Sequence, residues 1–213
     1  MTVAAANQIA RYSFENAEAL VFDPVPANRA MARTALGMLG FQQVTATSVL
    51  DELIPIVRDR NFDVIFADVT QESVRACDVV RSVREGTMGS NPFVHIVLMA
   101  WRLEGDLVQR ALNCGADDLI TRPFSVDFLR ARLRTHTEAR KSFVITSEYI
   151  GPDRRRARPP QPAANLFEVP NLLLAKAQDA RWSERSAKAA QDAIKTTRAK
   201  INTERARADA FQI

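Results

Sequence analysis

Between residues 18 and 140, five short apolar runs alternate with five segments whose apolar residues have helical spacing, and this alternation constrains the fold more than any other feature. The apolar runs are EALVF (18–22), VTAT (44–47), DVIFA (63–67), FVHIVLM (93–99) and DLIT (118–121). Each run is bounded by polar or turn residues, which is typical of a strand. Strands that alternate with helices form a parallel sheet with helices on both faces. We therefore predict an α/β fold with five parallel strands.

Composition divides the chain into four segments. We predict an N-terminal segment (1–17), a folded domain (18–140), a linker (141–170) and a C-terminal helix (171–213). Prolines and arginines are concentrated in 141–170, which indicates an irregular linker. Residues 171–210 contain no glycine or proline and are rich in good helix formers, which predicts one long helix.

The chain carries a net charge of +4, and the positive charge is concentrated near the C terminus. Residues 1–140 contain 15 arginines, no lysine and 17 acidic residues, whereas residues 141–213 contain 14 basic and 8 acidic residues. We therefore expect any basic partner-binding surface to lie in the C-terminal third. The apolar runs are too short to span a membrane, the N terminus lacks a signal-peptide pattern, and two cysteines make no disulfide framework. We expect a cytoplasmic protein without a membrane span.

The C-terminal third has two apolar features that predict a contact. The stretch LFEVPNLLL (166–174) has seven apolar residues in nine, which we expect to be buried on the folded domain or on a partner. Six residues recur every seven positions along the predicted helix: Leu173, Ala180, Ala187, Ile194, Ile201 and Ala208. The complementary seam is polar, so a coiled coil is only weakly supported. We predict a homodimer or partner contact through 166–210, and no DNA binding, because a lone helix has no second helix to orient it.

Two of the predicted strands end in an aspartate, Asp23 after ALVF and Asp68 after VIFA. In an open parallel sheet, ligands bind at the carboxyl ends of the strands. With RPF at 122–124 following GADDLIT, residues 18–140 resemble the response-regulator receiver domain of two-component signalling. The resemblance implies a flavodoxin-like, doubly wound sheet of order 2-1-3-4-5 and no catalytic turnover. It also implies a histidine kinase or another signalling protein as the partner.

Carried onto this sequence, the resemblance makes Asp68 the phosphoryl acceptor. It also places Mg²⁺ between Asp23, Asp68 and the backbone carbonyl of Thr70. The family has a second acid after the first strand, and this chain has Pro24 there. We therefore expect a weakened magnesium site.

Three further positions depart from the family pattern. Ala100 stands where the family has a switch hydroxyl, Arg122 where it has a lysine that pairs with the phosphate, and Leu119 where it has an aromatic residue. Arginine keeps the charge, but its fork does not replace a compact ammonium without repositioning. One interpretation is an atypical receiver that acts as a signalling adaptor, with Asp68 ion-paired to Arg122. The other is a working acceptor that a histidine kinase phosphorylates on Asp68.

Four arginines lie within residues 154–158: Arg154, Arg155, Arg156 and Arg158. Guanidinium groups fork onto phosphates and stack on bases, so a third hypothesis is a cyclic di-GMP effector. Arg154 and Arg158 resemble the Arg-x-x-x-Arg element of PilZ-type binders of this nucleotide, but the rest of that motif is missing. The alternatives are a solvated basic linker and a contact with a protein, a nucleic acid or a membrane surface.

Single residues of types that often carry function have simpler interpretations. We expect His95 to be packed in the fourth strand, and Cys77 and Cys114 to be core residues on helices. Trp101 is either a packing residue or a partner contact.

Overall fold

The computed structural model describes residues 12–154 and 166–210. The five predicted strands are present as β1 (Glu18–Phe22), β2 (Gln43–Thr47), β3 (Val64–Asp68), β4 (His95–Ala100) and β5 (Asp118–Thr121). They pair in parallel in the order β2-β1-β3-β4-β5. The predicted α/β fold and its strand order are confirmed.

Five helices cover the two faces of this sheet. They are α1 (Pro26–Met38), α2 (Leu50–Asp59), α3 (Ser73–Arg84), α4 (Gly105–Asn113) and α5 (Val126–Glu138). Helices α1 and α5 pack on one face, and α2, α3 and α4 pack on the other. Every residue of β3 and β4 is buried because both faces are covered. The carboxyl ends of β1, β3 and β4 consequently lie side by side at the same end of the sheet.

The segment predicted as an irregular linker contains a second sheet, so that prediction is wrong for its described residues. Three short strands, β6 (Phe143–Ile145), β7 (Ile150–Pro152) and β8 (Leu166–Phe167), pair antiparallel in the order β7-β6-β8. Phe143 and Ile145 point to the same side and are buried, while Val144 between them is only partly buried. This short period-two pattern lies in 143–145, just ahead of the prolines and arginines that dominate the segment.

The predicted long C-terminal helix is present, but it begins at Glu184 rather than near residue 171, because the segment is broken in two. Helix α6 (Leu172–Gln178) and helix α7 (Glu184–Ala210) are separated by five residues. At the break, Asp179 Oδ1 accepts a hydrogen bond from Arg181 N at 3.0 Å, and Ser183 Oγ accepts one from Ser186 N at 3.2 Å. Side chains of Asp and Ser compete with helical hydrogen bonds in this way, which ends α6 and begins α7.

The strands β6–β8 and the helices α6 and α7, together called the extension here, pack against the five-stranded domain. Ile194 and Ile201 of α7 are 6% and 4% exposed in a cluster that also contains Phe93 of the domain. Leu173 of α6 belongs to the cluster on the α1 and α5 face. Lys176 Nζ lies 2.8 Å from Oδ2 of the buried Asp63.

The two isoleucines of the seven-residue repeat therefore pack against this chain's own domain rather than against a second copy. The homodimer through 166–210 loses this support and stays a prediction.

The extension also meets the domain at a glycine pair. Gly115, between α4 and β5, has φ +89°, and a Cβ there would lie 2.5 Å from the Ile150 carbonyl oxygen. A Cβ on Gly151 would lie 2.7 Å from the Gly115 Cα. Only residues without a side chain allow this approach.

Within residues 12–154 and 166–210, no helix combines the length and the apolar character that a membrane crossing requires.

Candidate functional site

Asp23 and Asp68 lie together at the carboxyl edge of the sheet. Strands β1 and β3 are neighbours, with Phe22 opposite Ala67, so the residues that follow them reach the same edge. Asp23 is fully buried and Asp68 is 4% exposed. Buried carboxylates require a cation or several hydrogen bonds, and the surroundings of both residues supply them.

Arg122 is the cation that pairs with both carboxylates. Its backbone N–H donates to the Ala100 carbonyl at 2.9 Å, which places the residue directly after β5. Its Nη1 donates to Asp68 Oδ2 at 2.7 Å, and its Nη2 forms an ion pair with Asp23 Oδ2. The Nη2 group also contacts Met99 Sδ at 3.4 Å. A planar guanidinium can bridge two carboxylates in this way, whereas a lysine ammonium is a single point charge.

The start of α1 fixes Asp23. Its Oδ1 accepts hydrogen bonds from Val25 N at 2.8 Å and Asn28 Nδ2 at 3.3 Å. The guanidinium of Arg29 donates to the backbone carbonyls of Asp23 at 2.7 Å and Pro24 at 3.1 Å. Asn28 and Arg29 were not singled out from the sequence. Their positions five and six residues after a strand-end aspartate, in the first turn of a helix, were the available signal.

Thr70 holds the orientation of Asp68. The Thr70 N–H donates to Asp68 Oδ1 at 3.0 Å, and its hydroxyl donates to Oδ2 at 2.9 Å. Burial raises the pKa of the Asp68 carboxyl above its usual value, and the hydrogen bonds from Thr70 and the charge of Arg122 only partly oppose this. The site therefore raises the free energy of the ionised Asp68 carboxylate relative to its protonated form.

The carboxylate oxygens at this edge do not fit a Mg²⁺ ion as they are arranged. Each of the four faces a hydrogen-bond donor or a guanidinium nitrogen. Oδ2 of Asp23 makes no hydrogen bond of good geometry, but it lies in the ion pair with Arg122. The described part of the chain has no cluster of three or more His, Cys, Asp or Glu side chains suited to a metal. Oxygen-ligated Mg²⁺ would have to displace Arg122.

The two remaining switch positions offer no polar group to the site. Ala100, 1% exposed, ends β4 with a methyl group. Leu119, in β5, is partly buried and packs against the cluster on the α2, α3 and α4 face.

Beside the carboxylates, a cavity of ≈ 390 Å³ opens between α1 and the residues that follow β4 and β5. Arg122 lines it, together with apolar residues that include Met31, Met38, Trp101 and Phe124. Met31 and Met38 are 64% and 66% exposed, and Trp101 is 48% exposed. Trp101 is therefore not a core packing residue.

The arginine segment is described only at its first residue. The Arg154 guanidinium donates to the backbone carbonyl of Ala116, and it lies 3.5 Å from that of Ala111 in α4. It thereby occupies a carbonyl in the turn between α4 and β5 rather than projecting as a free phosphate-binding group. Arg155, Arg156 and Arg158 lie outside the described residues.

His95 and Cys77 are where we predicted them, and Cys114 is buried as predicted but lies just after the end of α4 rather than on a helix. His95 is the first residue of β4 and is 2% exposed, and its Nε2 lies 3.3 Å from Asn171 Oδ1 at the start of α6. Cys77 and Cys114 are buried in the same core cluster.

Comparison with known proteins identifies the family. Residues 19–134 match the family model of the response regulator receiver domain. The chain is 25% identical over 121 residues to a probable chemotaxis protein CheY of Rhizobium etli, and this match covers 56% of the chain and 91% of that protein. It is 29% identical over 125 residues to the transcriptional regulatory protein YvrH of Bacillus subtilis, with 57% of the chain and 49% of the regulator covered.

Similar regions also occur in sensor kinases and in solved structures. A match to the sensor histidine kinase RcsC of Escherichia coli is 27% identical and covers 58% of the chain but 12% of the kinase. The chain thus spans about half the length of the Bacillus regulator and a small part of the kinase. The structure of the chemotaxis protein CheY4 of Vibrio cholerae aligns with a TM-score of 0.49 and 23% identity, over 55% of this chain and 96% of CheY4. The family model and the five-stranded fold agree, and the chain belongs to the response regulator receiver domain family.

Proposed function

We propose that this chain is an atypical receiver that acts in two-component signalling as an adaptor, through protein contacts rather than through phosphorylation of Asp68. The observation that carries the proposal is the bridging of Asp23 and Asp68 by Arg122. The guanidinium supplies internally the positive charge that a bound cation would otherwise bring to the two carboxylates.

The bridging disfavours acceptor chemistry for a physical reason. To accept a phosphoryl group, a carboxylate oxygen of Asp68 must donate an electron pair to phosphorus while the bond to the donor breaks. Oδ2 already accepts hydrogen bonds from Arg122 and the Thr70 hydroxyl, and Oδ1 accepts one from the Thr70 N–H. Attack would require these bonds to be broken in a buried site, without a hydroxyl at Ala100 to bind the incoming group.

The groove beside α1 supports a role in protein contacts. The outward face of α1 is largely uncharged, with Met31 and Met38 exposed, and Trp101 faces it across the cavity. Large exposed apolar side chains that share one surface mark an interaction site. We propose that a histidine kinase or another signalling protein of the same pathway contacts this groove with the apolar face of a helix.

Restoring the family residues at the site tests the proposal. A variant that combines Pro24→Asp, Ala100→Thr and Arg122→Lys regains the second acid, the hydroxyl and the lysine. We expect this variant, incubated with acetyl phosphate and Mg²⁺, to be phosphorylated on Asp68 to a far greater extent than the wild-type chain. Adding Asp68→Asn to the restored variant is the matched control and should abolish the reaction. Phosphorylation of Asp68 in the wild-type chain to the same substantial extent as in the restored chain would refute the proposal.

The second candidate is a working phospho-acceptor with Mg²⁺ held by Asp23, Asp68 and Thr70. The retained positions of Asp23 and Asp68 at the sheet edge favour it. In that case Arg122 swings aside when Mg²⁺ binds, and the wild-type chain reacts without any substitution.

A further inference from the structure

A second cavity, of ≈ 380 Å³, lies where the extension meets the receiver domain. Its walls come from α6, from α7 and from the short connection between them, which contributes Trp182. Asn61 and Ser90 close it on the receiver side. The cavity exists only because the helix breaks after residue 178 and α7 folds back onto the domain.

The floor of this cavity is apolar. Leu172 of α6 lines it, together with Ala187, Ala190 and Ile194 of α7. Ile194 is 6% exposed, whereas the two alanines and Leu172 are partly buried, so they leave apolar surface facing the cavity. Small residues on α7 make the space, since a larger side chain at either alanine would enter it.

The polar groups of the cavity are predominantly donors and cations. Lys176, Lys195 and Arg198 line it, and no acidic residue does so within the described chain. Lys176 is neutralised by Asp63 at 2.8 Å, and Arg198 Nη2 donates to the Gly86 carbonyl at 2.5 Å.

Three of the lining groups make no hydrogen bond or ion pair with residues 12–154 and 166–210, namely the Gln191 amide, the Lys195 ammonium and the Trp182 indole N–H. Lys195 and Gln191 lie at exposed positions of α7, at the solvent side of the cavity. Trp182 is partly buried, and its ring lies 5.6 Å from Lys176 Nζ. An apolar cavity with a few polar groups along its wall is the usual make-up of a small-molecule site.

From this arrangement we propose that the cavity binds a small organic anion with an apolar body. The anionic group lies against Lys195 and the Trp182 N–H, and the apolar body covers Leu172 and Ile194. Such a ligand contacts both the extension and the receiver domain, so its binding favours the docked extension. This site is independent of the chemistry at Asp68.

A pair of fluorescent probes tests the proposal on the full chain. The chain has two tryptophans, and Trp101→Phe leaves Trp182 as the sole indole reporter. The anionic probe is 8-anilinonaphthalene-1-sulfonate, and N-phenyl-1-naphthylamine is its neutral counterpart without the sulfonate. We expect the sulfonate to quench Trp182 fluorescence saturably, and the neutral probe to bind about tenfold or more weakly.

Substitutions in the same background locate the binding. Lys195→Gln should weaken sulfonate binding by about tenfold. Lys188→Gln, on an exposed position of α7 outside the cavity, should leave it unchanged. Ala190→Phe should fill the cavity and abolish binding, with circular dichroism confirming the fold. If Ala190→Phe alters the fold, the comparison of Lys195→Gln with Lys188→Gln tests the proposal alone. Equal affinity for the two probes, or an effect of Lys195→Gln no larger than that of Lys188→Gln, would overturn the proposal.

Discussion

The inward-facing isoleucines of α7 allow a quantitative prediction about the extension. Ile201 is 4% exposed against a cluster that includes Phe93 and Phe143. Ile201→Ala removes three carbon groups, and at about 0.8 kcal/mol each their burial is worth about 2.4 kcal/mol. The cavity left behind adds to this loss, and the better helix propensity of alanine offsets a few tenths of a kcal/mol. We therefore predict that Ile201→Ala lowers the free energy of unfolding by about 2–3 kcal/mol.

Urea denaturation of the full chain measures this change. Asn202→Ala, at the exposed neighbouring position, is the matched control and should change the free energy by less than about 0.5 kcal/mol. Repeating the titration at several protein concentrations separates the two partners that Ile201 could have. Packing within one chain gives a midpoint independent of concentration, whereas packing in a dimer gives a midpoint that rises with concentration. A loss below about 0.5 kcal/mol for Ile201→Ala, or a strong concentration dependence, would refute the intrachain docking of α7.

Three other predictions concern charged groups. Burial and the nearby Arg140 hold the pKa of His95 well below its ordinary 6.5, so the unfolded chain binds the proton more readily. Stability should therefore fall as pH drops from about 7 towards 5, and the fall should be smaller in His95→Gln, as measured by urea denaturation. Asp117→Asn leaves the guanidinium groups of Arg84 and Arg140 buried without their carboxylate and should cost about 3 kcal/mol or more by the same assay. If the cyclic di-GMP hypothesis is correct, calorimetry should detect binding that Arg155→Ala abolishes.

The five-stranded sheet and the positions of its strand-end carboxylates could be predicted from the sequence because both follow from local patterns. Strands of four to six residues alternate with amphipathic helices, and parallel strands end at one edge. Asp23, Asp68 and Arg122 therefore had to lie close together once the fold was known. What the pattern could not give was the pairing of one guanidinium with both carboxylates, because that depends on side-chain reach rather than on spacing.

The packing of the extension was harder to predict, because its apolar sequence pattern does not say which surface it packs against. A seven-residue repeat of apolar residues is the same whether α7 packs on a second copy or on its own domain. The break after Gln178 comes from side-chain hydrogen bonds of Asp179 and Ser183, which weigh little against strong helix propensity on either side. Met31 and Met38 of α1 could not be predicted as a surface, because helical spacing of apolar residues is the same for a core-facing and an exposed side chain.

The reaction of the wild-type chain with acetyl phosphate and Mg²⁺, followed by intact-mass and peptide mass spectrometry, tests the central claim most directly. We predict that the wild-type chain remains unmodified at Asp68 under conditions in which a conventional receiver is phosphorylated. Substantial Asp68 phosphorylation that is lost in Asp68→Asn would contradict the claim that Arg122 has taken the place of the cation.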